Sequence, residues 1–293
     1  MRELNYYPPP MNEFNFKKRA LVMGVLNVTP DSFFDGGKYV SVARAVEQAL
    51  AMQEAGADII DIGGESTRPG APPVSIDDEL NRIIPVIEAI RAHSNVRSET
   101  GSKIKTEIKI SVDTSKADVM RLAVAAGANI INDVRALSEE GALDAAVELG
   151  VPVCLMHMQG DPVDMQDKPQ YGSVVDEVLA YLLKKVNVCV NAGMEKDQIW
   201  IDPGFGFGKS LAHNLSLLKH LKKFADTGFP VLAGLSRKSM LGAILDVPVE
   251  ERLAGSLALA NIAVMNGASI IRAHDVKETV HVVKVCAALN NSN

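Results

Sequence analysis

Ala55-Gly-Ala-Asp-Ile-Ile60 recurs as Ala126-Gly-Ala-Asn-Ile-Ile131 and, less closely, as Asn266-Gly-Ala-Ser-Ile-Ile271. In each copy a glycine ends a helical pattern and a short, apolar, β-branched run follows at once, which is how a helix feeds a buried strand. Looser versions stand at Gly150 before Val151-Pro-Val153, at Gly193 ahead of Gln198-Ile-Trp-Ile201, and at Gly228 before Phe229-Pro-Val231. The runs Ala20 to Leu26 and Glu107 to Val112 raise the strand candidates to eight. Helical periodicity separates them. Val42, Ala45, Val46, Ala49 and Leu50, for example, predict a helix from Ser41, its N-cap, to Ala55, with Gly56 as the stop. Eight βα units predict an α/β protein, a single TIM (β/α)8 barrel over residues 20–290 behind a polar, proline-bearing lead-in, 1–19. A doubly wound open sheet is the alternative, but it usually needs fewer strands.

At 293 residues, with hydrophobic residues at 47% and charged residues at 23%, the chain has the composition of a soluble globular protein. A formal net charge of −6 without a basic stripe argues against a nonspecific grip on nucleic acid. Cys154, Cys189 and Cys286 lie far apart with no CxxC pair, which suits reduced thiols in a cytoplasmic protein, Cys154 as a small core residue. The first residues hold no apolar signal core and no run of 18 apolar residues occurs, so neither secretion nor a membrane span is expected. The polar stretch 94–107 is predicted to be a surface loop on the face opposite the mouth.

In such a barrel the carboxyl ends of the strands form the functional face. Those ends are Asn27, Asp61, Asp113, Asn132, His157, Asp202, Ser236-Arg237-Lys238 and Arg272-Ala273-His274. Each has a bland reading alone. Asn27 or Asn132 can cap a helix, Asp113 can open the turn before a capping box, Ser115-Lys-Ala-Asp118, and His157 can be a satisfied half-buried ring. Together the bland readings require a coincidence at every end. The sixth end runs into Asp202-Pro-Gly-Phe-Gly-Phe-Gly-Lys209, whose alternate glycines let backbone approach a ligand. It is neither nucleotide motif: Lys209 stands where a dinucleotide fingerprint needs glycine, and Pro203 where a Walker loop does. Asp202 and Asn132 suit a heterocycle with an amidine-like edge, since they can pair with ring N–H, exocyclic amine and carbonyl in one plane. Arg68, Arg272 and His274, with Asn27, suit a phosphate or pyrophosphate held directly or through magnesium, and Lys238 lies between the two.

LNVTPDSFFDGG (26–37), DIGGESTRPGA (61–71), SVDTSK (111–116), INDV (131–134), MHMQGDP (156–162), DPGFGFGK (202–209), GLSRKSM (234–240) and IIRAHDV (270–276) resemble, in order, the motifs of dihydropteroate synthase. The resemblance covers roughly residues 20–285, one motif per strand end. It implies a homodimeric TIM barrel that joins 6-hydroxymethyl-7,8-dihydropterin pyrophosphate to 4-aminobenzoate in folate biosynthesis, by an SN1-like route with magnesium as cofactor and sulfonamides as competitors. Carried over by motif, Asp113, Asn132, Asp202 and Lys238 form the pterin site. Asn27, Thr67, Arg68, Arg272 and His274 form the pyrophosphate site, with magnesium at Asn27. Phe33, Pro69, Phe207 and Ser239 form the aminobenzoate site beneath two closing loops, 27–40 and 64–75; plain packing is the other reading of Phe207. Asp113, Lys238 and Asn27 are the catalytic candidates. Two rivals share the pterin floor: methyltransferases that use methyltetrahydrofolate, and a pterin-binding paralogue without activity. Neither needs the cationic rim. The apolar helix Leu253 to Met265 is a candidate dimer surface, or simply buried between barrel and neighbouring helices.

Overall fold

The computed structural model describes residues 14, 16, 18–29, 37–66, 70–99, 108–160, 165 and 169–292. Along them β1 (Leu21–Asn27), α1 (Gly37–Ala55), β2 (Ile59–Gly63), α2 (Ile76–Glu99), β3 (Lys109–Asp113), α3 (Ala117–Ala125), β4 (Ile130–Asp133), α4 (Ala142–Leu149), β5 (Val153–Met156), α5 (Val174–Asn191), β6 (Ile199–Asp202), α6 (Leu211–Lys219), α7 (Lys222–Ala225), β7 (Leu232–Gly234), α8 (Ser239–Leu245), α9 (Leu253–Met265), β8 (Ile270–Ala273) and α10 (Val276–Asn290) alternate. The eight strands run parallel in the order β6-β5-β4-β3-β2-β1-β8-β7. A parallel bridge between Ile201 and Val231 brings β6 onto β7, with Ile201 N–H donating to the Pro230 carbonyl at 2.9 Å. The sheet is therefore a nearly closed TIM barrel, as the helix–strand junctions predict.

Strand alternation divides the core in two. Outward-facing Ile60, Ile62, Ile110, Val112, Ile131, Leu155, Ile201 and Ile271 pack against helix residues such as Ile83, Ile87, Val119, Val178, Leu217 and Val280. Inward-facing Leu21, Met23, Ile59, Ile130, Cys154, Trp200, Leu232 and Ile270 fill the amino-terminal half of the barrel. Phe14 and Phe16 meet the Trp200 ring edge-on at 5.1 and 5.8 Å, so part of the lead-in plugs the barrel floor. This plug sets the height of the mouth. Two residues beyond Ile59, Ile130, Trp200 and Ile270, on the same inward face, stand Asp61, Asn132, Asp202 and Arg272.

Three local expectations need correcting. Helix α1 begins at Gly37, a turn before Ser41, because nothing between these residues opposes helix and Ser41 is absorbed inside it. Helix α2 continues through Glu99, so residues 94–99 of the predicted loop are helical. The apolar spacing stops after Ile90, but no glycine or proline follows until Gly101 and nothing ends the helix. Residues 100–107 lie outside the described residues. Ser115 and Asp118 form no capping box; the N-cap of α3 is Lys116, with no side-chain cap, and Ser115 Oγ donates instead to Asp133. All three cysteines are free and buried. Among the described residues no helix is long and apolar enough to cross a membrane.

Because Trp200 is fully buried and gathers both lead-in rings, Trp200→Ala should cost about 3–5 kcal/mol of stability by urea unfolding. Unchanged stability would mean that the plug is not packed as described.

Candidate active site

The floor of the mouth is a charge cluster. Arg272 on β8 donates from Nε to Asp61 Oδ2 on β2 at 2.6 Å and from Nη2 to Asp113 Oδ2 on β3 at 2.9 Å. Asn132 Nδ2 on β4 also donates to Asp61 Oδ2, at 3.1 Å, which leaves Asp61 Oδ1 buried without a partner among the described residues. Burial pushes Asp113 well above the usual carboxylate range, and the Asp61 charge adds to it, while Arg272 opposes both. For Arg272, burial works against the charge, but Asp61 and Asp113 outweigh it and raise its value. The guanidinium therefore stays charged, whereas the Asp113 carboxyl gives up its proton less readily than a free one.

Beside this fork β6 delivers Asp202. Its Oδ1 accepts the Gly204 N–H at 2.7 Å, and no protein donor meets its other oxygen among the described residues. Burial raises Asp202 to about 6, against the pull of the Gly204 N–H, Lys238 and Lys209. The glycine loop that follows lies on the His157–Gln159 turn. At Gly204, φ is +69° and a Cβ would stand 1.9 Å from the His157 carbonyl oxygen; at Gly208, φ is +62° and the distance to the Gln159 oxygen would be 2.3 Å. Side chains are excluded there on both counts. Lys238, the N-cap residue of α8, reaches over this loop, donating to the Phe205 carbonyl at 2.7 Å with its Nζ 4.2 Å from the centre of the Phe207 ring. Burial lowers Lys238 to about 8, with Arg272 acting the same way and Asp202 opposing.

Asp113, Asn132, Asp202, Phe207, Lys238 and Arg272 thus line one small pocket, together with Val134, Met156, Phe205 and Gly234. Asn27 ends β1 half-buried, and Ser239 is exposed at the first position of α8. His274 sits on the rim, where its backbone N–H donates to Ser236 Oγ at 3.2 Å. Crowding by the surrounding protein, then Arg272 and Arg237, lowers its pKa. Phe33, Thr67, Arg68 and Pro69 lie outside the described residues. A groove of about 670 Å³ between α1 and α2 is larger, but Val42, Val46, Leu50, Pro85 and Ala89 dominate its walls, with Glu47 and His93 as its charged or titratable members.

Side-chain pairings escape a reading by strand ends. Arg237 turns away and pairs with Asp275, Nε to Oδ2 at 3.0 Å, instead of joining the pocket. Asp133 is fully buried and accepts the Arg135 and Leu137 N–H groups at 2.8 and 2.7 Å, fixing the turn after Asn132. Lys116 bridges Glu65, at 2.6 Å, and the buried Glu79, and Glu65 Oε1 accepts the Val74 N–H at 3.1 Å. Lys209 is almost entirely enclosed beside His157. Their motifs are visible in sequence; their pairings are tertiary.

A barrel mouth that gathers Asp113, Asn132, Asp202, Lys238 and Arg272 in one pocket is an enzyme-type site for a polar, hydrogen-bonding ligand with an anionic part. Residues 23–274 match the family described as pterin binding enzyme. The chain is 55% identical over 267 residues to the dihydropteroate synthase of Escherichia coli strain K12, covering 91% of this chain and 90% of that protein. A Yersinia pestis dihydropteroate synthase solved with a sulfonamide drug complex superposes with a TM-score of 0.85 at 48% identity, covering 95% of this chain and 96% of that one. A Xanthomonas albilineans dihydropteroate synthase with 4-aminobenzoic acid also gives 0.85 at 48%, covering 94% of each chain. The chain belongs to the dihydropteroate synthase family of pterin-binding enzymes.

Replacing Arg272 by Met should leave Asp61 and Asp113 facing each other without a counter-charge, at a cost of about 3–5 kcal/mol near neutral pH. Protonation of Asp113 relieves the repulsion, so the deficit relative to the parent should shrink as pH falls. A deficit independent of pH in urea titrations would contradict this account of the cluster.

Proposed function

We propose that this chain condenses 6-hydroxymethyl-7,8-dihydropterin pyrophosphate with 4-aminobenzoate, releasing pyrophosphate and forming 7,8-dihydropteroate for folate biosynthesis. The observation that carries the proposal is the convergence of Asp113, Asn132, Asp202, Lys238 and Arg272 on one pocket. Asp202, with one oxygen unspent, accepts N–H donors from the amidine-like edge of the pterin, while Asn132 and Lys238 meet the remaining ring heteroatoms. Arg272 and His274, with Asn27, Thr67 and Arg68, hold the pyrophosphate. The 4-aminobenzoate lies between Phe33, Pro69 and Phe207, its carboxylate toward Ser239. The Xanthomonas relative was solved with 4-aminobenzoic acid and the Yersinia relative with a sulfonamide, which supports both that substrate and sulfonamide competition.

The route is SN1-like. The bond from the pterin methylene carbon to the pyrophosphate oxygen breaks first, its electron pair leaving with pyrophosphate. The resulting pterin-stabilised methylene cation faces the Asp113 carboxylate until the arylamine nitrogen attacks and loses a proton. Opposite fixed charges thus meet both developing charges, and no covalent nucleophile is needed. Magnesium fits the donor set. Asn27, at the end of β1, would offer it a hard side-chain oxygen. When bound, it would neutralise charge on the departing pyrophosphate.

We also assign the chain to a cytoplasmic homodimer. The buried free thiols favour a reducing compartment, and Ile262 and Met265 of α9 with Val285 and Leu289 of α10 leave apolar side chains exposed on adjacent helices.

Purified protein given dihydropterin pyrophosphate and magnesium should release pyrophosphate in step with dihydropteroate only when 4-aminobenzoate is present. Tight pterin binding without release would overturn the synthase reading. Asp113→Asn should keep pterin affinity within about threefold yet slow turnover by about 10²-fold, since shape remains and the charge opposite the cation is lost; equal turnover would remove Asp113 from the mechanism. Calorimetric affinity for the pterin should fall as pH drops through about 6, because Asp202 must be ionised to accept.

A further inference from the structure

The ammonium of Lys209 lies in the protein interior, 3% exposed, where solvation is lost. It stands 3.0 Å from His157 Nδ1, 2.9 Å from the Phe207 carbonyl oxygen and 3.3 Å from the His157 carbonyl oxygen. These contacts join the glycine loop after β6 to the turn after β5, along the line where Gly204 and Gly208 press against His157 and Gln159. The loop is tied elsewhere too: Tyr171 Oη donates to the Gly208 carbonyl at 2.9 Å, and Gly206 N–H donates to Asn214 Oδ1 at 2.8 Å. Unlike the Tyr171 and Asn214 ties, Lys209 brings a charge, and a buried cation is an expensive substitute for a hydroxyl or an amide unless its charge is used.

We propose that Lys209 is a positioning residue for the pterin pocket, holding the Phe207 carbonyl and the His157 turn in place. The proposal rests on the pterin reading above and concerns a residue outside the pocket lining. Two lysines grip the same loop, Lys238 at the Phe205 carbonyl from the pocket side and Lys209 at the Phe207 carbonyl from the core side. Between them they fix the peptide that presents the Phe207 ring. Several groups face the Lys209 ammonium. His157 comes from the turn after β5, Asp202 from β6 and Lys238 from the turn before α8; the Tyr171 hydroxyl, on the segment before α5, is spent on the Gly208 carbonyl, with the His213 ring of α6 edge-on to Tyr171. Burial lowers His157 to about 3, with Lys209 adding to the effect, so its ring is neutral and Nδ1 accepts from the ammonium. Burial also lowers Lys209, to about 7, while Asp202 holds it up and Lys238 pushes it down. Asp202 and Lys209 thus each favour the other's charged form.

Lys209→Met keeps the length of the side chain and removes both the charge and the donors. The Michaelis constant for dihydropterin pyrophosphate should rise about tenfold or more, that for 4-aminobenzoate should stay within about twofold, and the acid limb of kcat/KM for the pterin substrate should move to higher pH. The direction follows from Asp202, whose pKa climbs when a cation behind it is removed. Lys209→Gln keeps an N–H for the Phe207 carbonyl and loses the charge, so it should move the acid limb with a smaller rise in KM. It carries the test if the Met variant does not fold. An altered unfolding temperature with an unmoved acid limb and equal pterin affinity by calorimetry would reduce Lys209 to a structural residue and overturn the proposal. Failure of the parent enzyme to form dihydropteroate would instead strike the functional reading, which the calorimetric arm does not use.

Discussion

The fork of Arg272 between Asp61 and Asp113 is the interaction on which the mouth of this barrel depends. Three strands, β8, β2 and β3, contribute one charged group each to a place with little water, and each group is tolerable only because the others are there. Unlike charges about 3 Å apart attract far more strongly here than at the surface, and so would like charges repel if the guanidinium were removed. Asp61, Asp113 and Asp202 are balanced by Arg272, Lys238 and Lys209. The cluster therefore holds its shape before any substrate arrives, and a ligand need not spend binding energy arranging it.

The height of that cluster is set from below. A strand period of two places a polar side chain directly above each apolar one, so the Trp200, Ile59, Ile130 and Ile270 layer decides where Asp202, Asp61, Asn132 and Arg272 stand. Phe14 and Phe16 complete this layer from outside the barrel, which gives a segment distant from the chemistry a share in fixing it. Strands of three to seven residues suffice, because one inward turn of side chains makes the plug and the next makes the floor.

Much of this was legible in the sequence because the helix–strand junction repeats itself. Ala55-Gly-Ala-Asp-Ile-Ile60 and its copies mark strands through local chemistry, a left-handed glycine and then β-branched residues, and local chemistry survives folding. Asp113, Asn132, Asp202, Lys238 and Arg272 were found at strand ends for the same reason. What could not be read was pairing. Arg237 has the same standing in sequence as Arg272, yet it turns to Asp275, and only the packing of the turn before α8 against the end of β8 decides between them. Lys209 looked like the end of a failed nucleotide motif, because nothing in its neighbourhood announces that His157, fifty-two residues earlier, will accept its hydrogen bond. Helix α2 was shortened in the reading because its last polar turns carry no apolar stripe, although they carry no stop signal either.

The resting strain of Asp113 gives the proposed reaction its logic. Burial and the neighbouring Asp61 make its negative charge costly, and Arg272 offsets only part of that cost, since the same guanidinium also serves Asp61. A carboxylate already satisfied by its own salt bridge would gain little from a cation forming nearby. One held above its ordinary pKa gains more, and it gains only when the carbon–oxygen bond breaks and positive charge appears on the pterin methylene. In the proposed SN1-like step the interaction would be stronger in the transition state than with bound substrate, which is the condition for it to accelerate the step and not merely to tighten binding. Sharing one arginine between two aspartates thus does what a second arginine would undo.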